Sequence, residues 1–289
     1  MEIRQSIMKD LRPVLNDGAV ASPWEKHAGQ WNHIGPPLRP CPQDLQFVQT
    51  EVNDMARARN QVEALMLGVT VELTALSWPA NCSLTAVDSS RSMLIRRWRP
   101  PAGIKSAALQ GLWERLPVPR KSLDLVLADG SLSILPNARG VAEVLRELAA
   151  VLSPGGRIVT RVFIRQEAEP TPGEVIHAMR RGEYGNFHVF KWRLLMALHD
   201  SPTEGVLLST VYRTVCDAIP DRAAVARELG WPLQSVNTID AYKDVAGRYF
   251  FPCLAQFREL MDGDLRELDC IVPTYELGER CPTLVLSCK

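Results

Sequence analysis

The chain predicts an α/β fold: a doubly wound, mainly parallel sheet with a helical insert and a terminal antiparallel hairpin. Three observations predict it. From Ala64 to Phe163 short apolar runs alternate with amphipathic stretches, the rhythm of strands joined by helical crossovers. One apolar run ends at Gly68 and the next ends twenty positions later in Asp88. In a βαβ nucleotide site such a glycine lets the chain turn and leaves room for a ligand, while the acid accepts hydrogen bonds from two ribose hydroxyls. Beyond Phe163 the rhythm changes to about ninety residues of helical character. The closing LDCIVPTYELGERCPTLVLSCK then reads as two strands joined by a short turn around Gly278 to Arg280.

A length of 289 residues with 46% hydrophobic side chains is enough for one well-filled α/β domain plus an elaboration. Basic and acidic side chains balance at 33 each, which argues against a nucleic-acid binder held by a charged tail. The local basic runs, Arg96 to Arg99 and Arg180 with Arg181, read as solvated helix ends. Seven cysteines occur without a C-x-x-C pair, so neither a metal site nor a disulfide framework is indicated. No apolar segment approaches the roughly 20 residues of a membrane span, and MEIRQSIMKDLRP lacks the apolar core of a signal peptide. The expectation is a cytoplasmic protein, monomeric or homodimeric, without a nucleic-acid or membrane partner.

Taken in order, the first forty residues are rich in Pro, Gly and Trp, and SPWEKHAGQWNHIGPPLRPCP has to lie on another surface. Residues 1–41 are therefore assigned as an N-terminal lid segment. Leu45, Val48, Val52, Met55 and Ala56 then recur at helical spacing. Strands follow near Ala64 to Gly68, Ser83 to Val87, Lys105 to Leu109, Leu123 to Ala128 and Arg157 to Phe163. Before the fifth, Val141, Val144, Leu145, Leu148, Val151 and Leu152 mark one helix face, and SPGG ends that helix. A linker from Gln166 to Pro172 leads into helices that include FHVFKWRLLMALH, with Phe187, Phe190, Leu194, Leu195 and Leu198 on one face. The expected division is a core at 42–165, a helical cap at 166–264 and a hairpin at 265–289 that completes the core sheet.

The order of LMLGVTVEL, AVD, QGLWERLP, SLDLVLADGSLSIL and LSPGGRIVTRVF, with the hairpin after them, resembles the class I S-adenosylmethionine-dependent methyltransferases. The resemblance covers about Asp44 to Phe163 and, more loosely, the last twenty residues. It implies a Rossmann-like fold, S-adenosylmethionine as cofactor and a small-molecule substrate. As cofactor contacts it implies Gly68, Val69 and Thr70; Asp88, Ser89 and Met93; Gly111, Leu112 and Trp113; and Asp129, Gly130 and Ser131. Met66 stands where the family usually has an acid, Thr70 and Glu72 replace glycines, and Leu112 replaces an Asp that receives the adenine amino group. Adenine recognition would then fall to the backbone near Gly111 and Leu112, with Trp113 against the ring.

In IGPPLRP two prolines stiffen the chain and leave Arg39 either to hold the cofactor's carboxylate through a two-pronged pair or to cap a neighbouring helix. Methyl transfer needs mainly an oriented acceptor and sometimes a proton acceptor. His188 and Tyr184, and with them Lys191, are the candidates for a catalytic base or orienter, because an insert leaving strand five would cover the open end of the sheet. Trp192, Trp231, Phe250 and Phe251 are candidates to line an apolar substrate pocket, or else core. The reading is a small-molecule methyltransferase. The degenerate motif leaves open a non-catalytic S-adenosylmethionine-binding or regulatory protein, and the Gly-to-acid spacing a nicotinamide-dependent oxidoreductase.

Overall fold

Strand residues alternate between two apolar cores, which is why the strands read as continuous apolar runs. In the first strand Leu65 and Leu67 enter one core and Val62, Ala64 and Met66 the other; in the fourth, Val126 and Ala128 oppose Leu125 and Leu127 in the same way. The computed structural model describes residues 23–261 and 263–289; the lid segment's residues up to 22, MEIRQSIMKDLRP among them, lie outside the described residues.

The elements run α1 (Trp24–Gln30), α2 (Pro42–Ala58), β1 (Val62–Leu67), α3 (Val71–Thr74), β2 (Cys82–Asp88), α4 (Arg91–Arg97), β3 (Lys105–Gln110), β4 (Leu123–Asp129), α5 (Ala138–Val151) and β5 (Leu152–Arg161). The insert holds α6 (Pro172–Arg180), α7 (Phe187–Ala197), β6 (Val206–Leu207), α8 (Leu208–Ala218), α9 (Arg222–Leu229), α10 (Leu233–Asn237), β7 (Arg248–Tyr249) and α11 (Leu254–Met261). β8 (Leu265–Ile271) and β9 (Thr283–Cys288) close the chain. The seven-stranded sheet has the order β3-β2-β1-β4-β5-β9-β8. Its first five strands are parallel, and β9 lies antiparallel between β5 and β8.

Strand order reverses between β1 and β4, and in a doubly wound sheet the ligand crevice opens at the carboxyl ends of the strands flanking that reversal. Gly68 and Gly130 follow those two strands, each with a positive φ, +82° and +66°. At Gly130 the backbone approaches so closely that an added Cβ would lie 2.6 Å from the Phe163 ring. An alanine there meets both backbone strain and overlap.

Four expectations change. The helix after Gly68 is a single turn, α3, so the loop's own N–H groups rather than a long helix's macrodipole face the crevice. SPGG does not end α5; it lies within β5, whose register against β4 shifts there, with Gly155 at φ +74°. The turn at Gly278 to Arg280 is a 3-10 segment inside a longer connection from β8 to β9. Helix α7 is buried on all sides, Lys191 and Trp192 included, because the remaining cap helices wrap it; it is not an amphipathic surface helix. Within 166–264, α11 departs from the rest, since Phe257 and Met261 pack into the sheet core beside α5 rather than into the cap.

Candidate functional site

Gly68 carries no side chain, so the Trp113 ring and the Asp88 carboxylate close on it: an added Cβ would lie 3.4 Å from the one and 3.7 Å from the other. Trp113 is fixed there by its indole N–H, which donates to the Val87 carbonyl at 2.7 Å. One Asp88 oxygen accepts from the Ser90 N–H at 2.7 Å, and burial pushes the carboxyl up to about 6 against the backbone donors of Ser90 and Val69. Carboxylate oxygens accept more than one hydrogen bond each, so capacity for two hydroxyls remains. Ser131 donates to the Leu67 carbonyl at 2.8 Å and ties the ends of β1 and β4 together.

These residues line one cavity of about 250 Å³ at the switch point. All thirteen sequence-predicted binding residues border it: Arg39, Gly68, Val69, Thr70, Asp88, Ser89, Met93, Gly111, Leu112, Trp113, Asp129, Gly130 and Ser131. Leu112 is 61% exposed at the rim. Met66 points away, into the core with α2, where an acid would be buried among Val52, Met55 and Leu73.

The N-terminal segment covers this end of the sheet. Trp31 and Ile34 pack with Val69, after β1, and with Met93 of α4. Arg39 pairs with Glu72, donates to the Trp31 and Ile34 carbonyls at 3.3 and 3.2 Å, and lies 5.4 Å from the Trp31 ring centre. Trp31 is the C-cap residue of α1 and Ile34 that of the 3-10 turn after it, so Arg39 also caps these helix ends. The second Glu72 oxygen is buried without a hydrogen-bond partner.

Behind the rim, Arg161 joins four parts of the chain. Its guanidinium pairs with Asp129 at 2.5 Å, donates to the Pro37 carbonyl at 2.7 Å, and lies 3.3 Å from the Tyr275 hydroxyl and 3.7 Å from Asp44. Sequence reasoning missed this residue. An Arg inside the apolar strand RIVTRVF was the signal, because such a charge stays buried only with partners.

Of the catalytic candidates only Lys191 borders this cavity. Neither His188 nor Tyr184 borders the cavity. His188 turns one ring nitrogen to the His33 carbonyl at 2.8 Å beneath the N-terminal segment, and burial, aided by Lys191, holds it neutral with a pKa near 3. Tyr184 stacks on Phe190 and carries Arg193 over its ring. Trp231 packs with Phe187 and Phe190, and Phe250 and Phe251 are core. From the insert it is Lys191, Trp192, Tyr242 and Tyr249 that reach the cavity, joined by Trp24, His27, Ile134, Leu135 and Phe163. Tyr242 closes a 3-10 turn and Tyr249 lies in the two-residue β7, elements too short for a periodicity to mark them.

The family described as Methyltransferase domain matches residues 65–160, the stretch from β1 to β5. No curated protein matches the sequence. Among solved structures, the CcbJ methyltransferase of Streptomyces caelestis is similar over 93% of this chain and 99% of its own, with 11% identity and a TM-score of 0.52. A Rhodobacter sphaeroides protein provisionally named a Zn-dependent alcohol dehydrogenase is similar over 94% of this chain and 100% of its own, with 10% identity and a TM-score of 0.52. At such identities these two likenesses show a shared fold. Among the described residues no helix is long and apolar enough to cross a membrane, and no three His, Cys, Asp or Glu side chains converge to hold a metal ion.

Proposed function

We propose that this chain, a member of the class I S-adenosylmethionine-dependent methyltransferase family, moves a methyl group from S-adenosylmethionine to a small molecule held between the sheet and the helical insert. One observation carries the reading: residues scattered from Arg39 to Ser131 meet in one cavity at the switch point of the sheet.

The lining fits the parts of the cofactor. Asp88 accepts from the ribose hydroxyls, the Trp113 ring and the backbone of Gly111 and Leu112 take the adenine, and the N–H groups following Gly68 face the methionine end. Arg39, which borders the cavity, takes the carboxylate. When bound, the sulfonium presents an already activated carbon, so the remaining task is to orient the acceptor and exclude water. Trp192, Tyr249 and Phe163 give that side of the cavity a rigid apolar wall, their rings 5.2 to 6.1 Å apart. The N-terminal segment acts as the lid over the cofactor and the insert sets substrate choice.

Macromolecular acceptors fit poorly, because the cavity is lined from three parts of the chain and the net charge is zero. The test supplies S-adenosylmethionine labelled in its methyl group together with a cell extract and follows the label. It is expected in the low-mass fraction; label confined to the protein or RNA fraction would overturn the small-molecule reading.

A further inference from the structure

Where the insert reaches the cavity, buried polar atoms accumulate without partners. Lys191 is 0% exposed, and its Nζ has no hydrogen-bond or ion-pair partner among the described residues. The indole nitrogens of Trp192 and Trp31 and the Nδ1 of His27, all on cavity-lining residues, are likewise buried and unpartnered. An indole donates only, and an ammonium donates only. Aromatic rings surround the amine: its Nζ lies 5.1 Å from the Tyr242 ring centre, 5.7 Å from Trp192 and 5.8 Å from Phe187.

Among the described residues no carboxylate balances this charge. Of the acids bordering the cavity, Asp129 is taken by Arg161, Asp88 sits at the Gly68 loop and Glu114 is exposed at the rim. The titratable groups around Lys191 supply no anion either. Burial holds His27 and His188 neutral, each near 3, and pushes the Tyr242 and Tyr249 phenols upward. Burial alone pushes Lys191 down to about 7. An unpaired buried amine costs stability that ring contacts offset only in part, and a Leu or Met would fill a purely structural position better. A buried amine and an indole N–H without acceptors, on neighbouring residues that line one cavity, instead describe the complement of an oxyanion.

We propose that this end of the cavity receives an acidic oxygen, phenolate or carboxylate, carried on a flat apolar acceptor, with Lys191 Nζ as its charged partner and the indole N–H group of Trp192 as a further donor. This names the acceptor class for the methyltransferase site and rests on that reading. For an acceptor that arrives protonated, the neutral amine takes the proton. The O–H bond breaks with its electron pair left on oxygen, an N–H bond forms, and an ammonium–oxyanion pair stays inside the aromatic cage.

The probes are 4-nitrophenol, whose anion is yellow, 4-nitrobenzoate, and nitrobenzene as the uncharged control. Each is titrated into the full chain and its Lys191→Met variant, with and without S-adenosylhomocysteine. At least one of the two acidic probes should bind the unaltered chain at least about tenfold more tightly than the variant, while nitrobenzene binds both equally. Loss confined to one acidic probe identifies which acid the site takes. Should the variant fail to fold, the unaltered chain still decides: the pH midpoint of bound 4-nitrophenol, or the pH dependence of 4-nitrobenzoate affinity, must show the anion favoured by at least about one pH unit or tenfold over the neutral form. Equal binding of both anions to the two proteins, an equal loss for nitrobenzene, or no preference for an anion overturns the proposal. Probe binding without S-adenosylhomocysteine binding would sink the methyl-transfer reading and leave the Lys191 site standing; the converse would sink the Lys191 site alone.

Discussion

Burial moves Lys191 and Asp88 in opposite directions, and each shift has a measurable consequence. The folded-state pKa of Lys191 is depressed from 10.5 to about 7, so between those values the unfolded chain binds the extra proton and stability climbs with rising pH. Below about 7 the ammonium sits in its apolar cage and the full cost is present. Lys191→Met should therefore raise the melting temperature most below pH 7, with the gain shrinking toward pH 10; a gain independent of pH would show that the amine is not buried. For Asp88 the carboxyl is raised from 3.8 to about 6, and its ionised form is the stronger acceptor for two hydroxyl hydrogen bonds. Affinity for S-adenosylhomocysteine should be flat near neutrality and fall below pH 6, and Asp88→Ala should weaken it roughly a hundredfold and remove the pH step. Calorimetry at a series of pH values checks both. Gly68 and Asp88 were legible in the sequence because a tight turn and a strand-end acid are local demands. Lys191 was legible as a candidate base or orienter beside His188, but its burial and its lack of a partner come from packing by distant elements and were not.

The N-terminal segment and the β4 and β5 ends are held together by one buried cation, so that element's stability concentrates in Arg161. Arg161→Met would leave Asp129 and Asp44 buried without their guanidinium and remove the donor to Pro37. A loss of about 3–5 kcal/mol is expected from denaturant unfolding, and a loss below about 1 kcal/mol would mean the network does not hold the segment. Deleting residues through Pro40 should weaken S-adenosylhomocysteine by at least about tenfold and leave the circular dichroism of the sheet unchanged, because the segment covers Val69 and Met93 without adding a strand. Unchanged affinity in the truncated chain would give the segment another role. Helix α2 and strands β1 to β4 could be read from periodicity alone, to within a few residues. Helix α7 could not: its hydrophobic face was found, but its polar face turned out to be covered by α8, α10 and the segment around Tyr242, which no local pattern announces.

The whole molecule pairs a sheet whose order is written in its apolar rhythm with an insert whose placement is not. Residues 65–160 carry the family match and the glycine loops, and the cofactor end of the cavity lies almost wholly within that stretch. The acceptor end is assembled from Trp24 and His27, Phe163 and Lys191 to Tyr249. Separate origins let cofactor binding and acceptor choice be tested separately. The most direct measurement is a calorimetric titration of the full chain with S-adenosylhomocysteine, set beside one with NAD and repeated on Asp88→Ala. Saturable binding of S-adenosylhomocysteine to a single site, lost with Asp88 and not reproduced by NAD, is the predicted result. Binding of NAD that depends on Asp88, with none of S-adenosylhomocysteine, would contradict it.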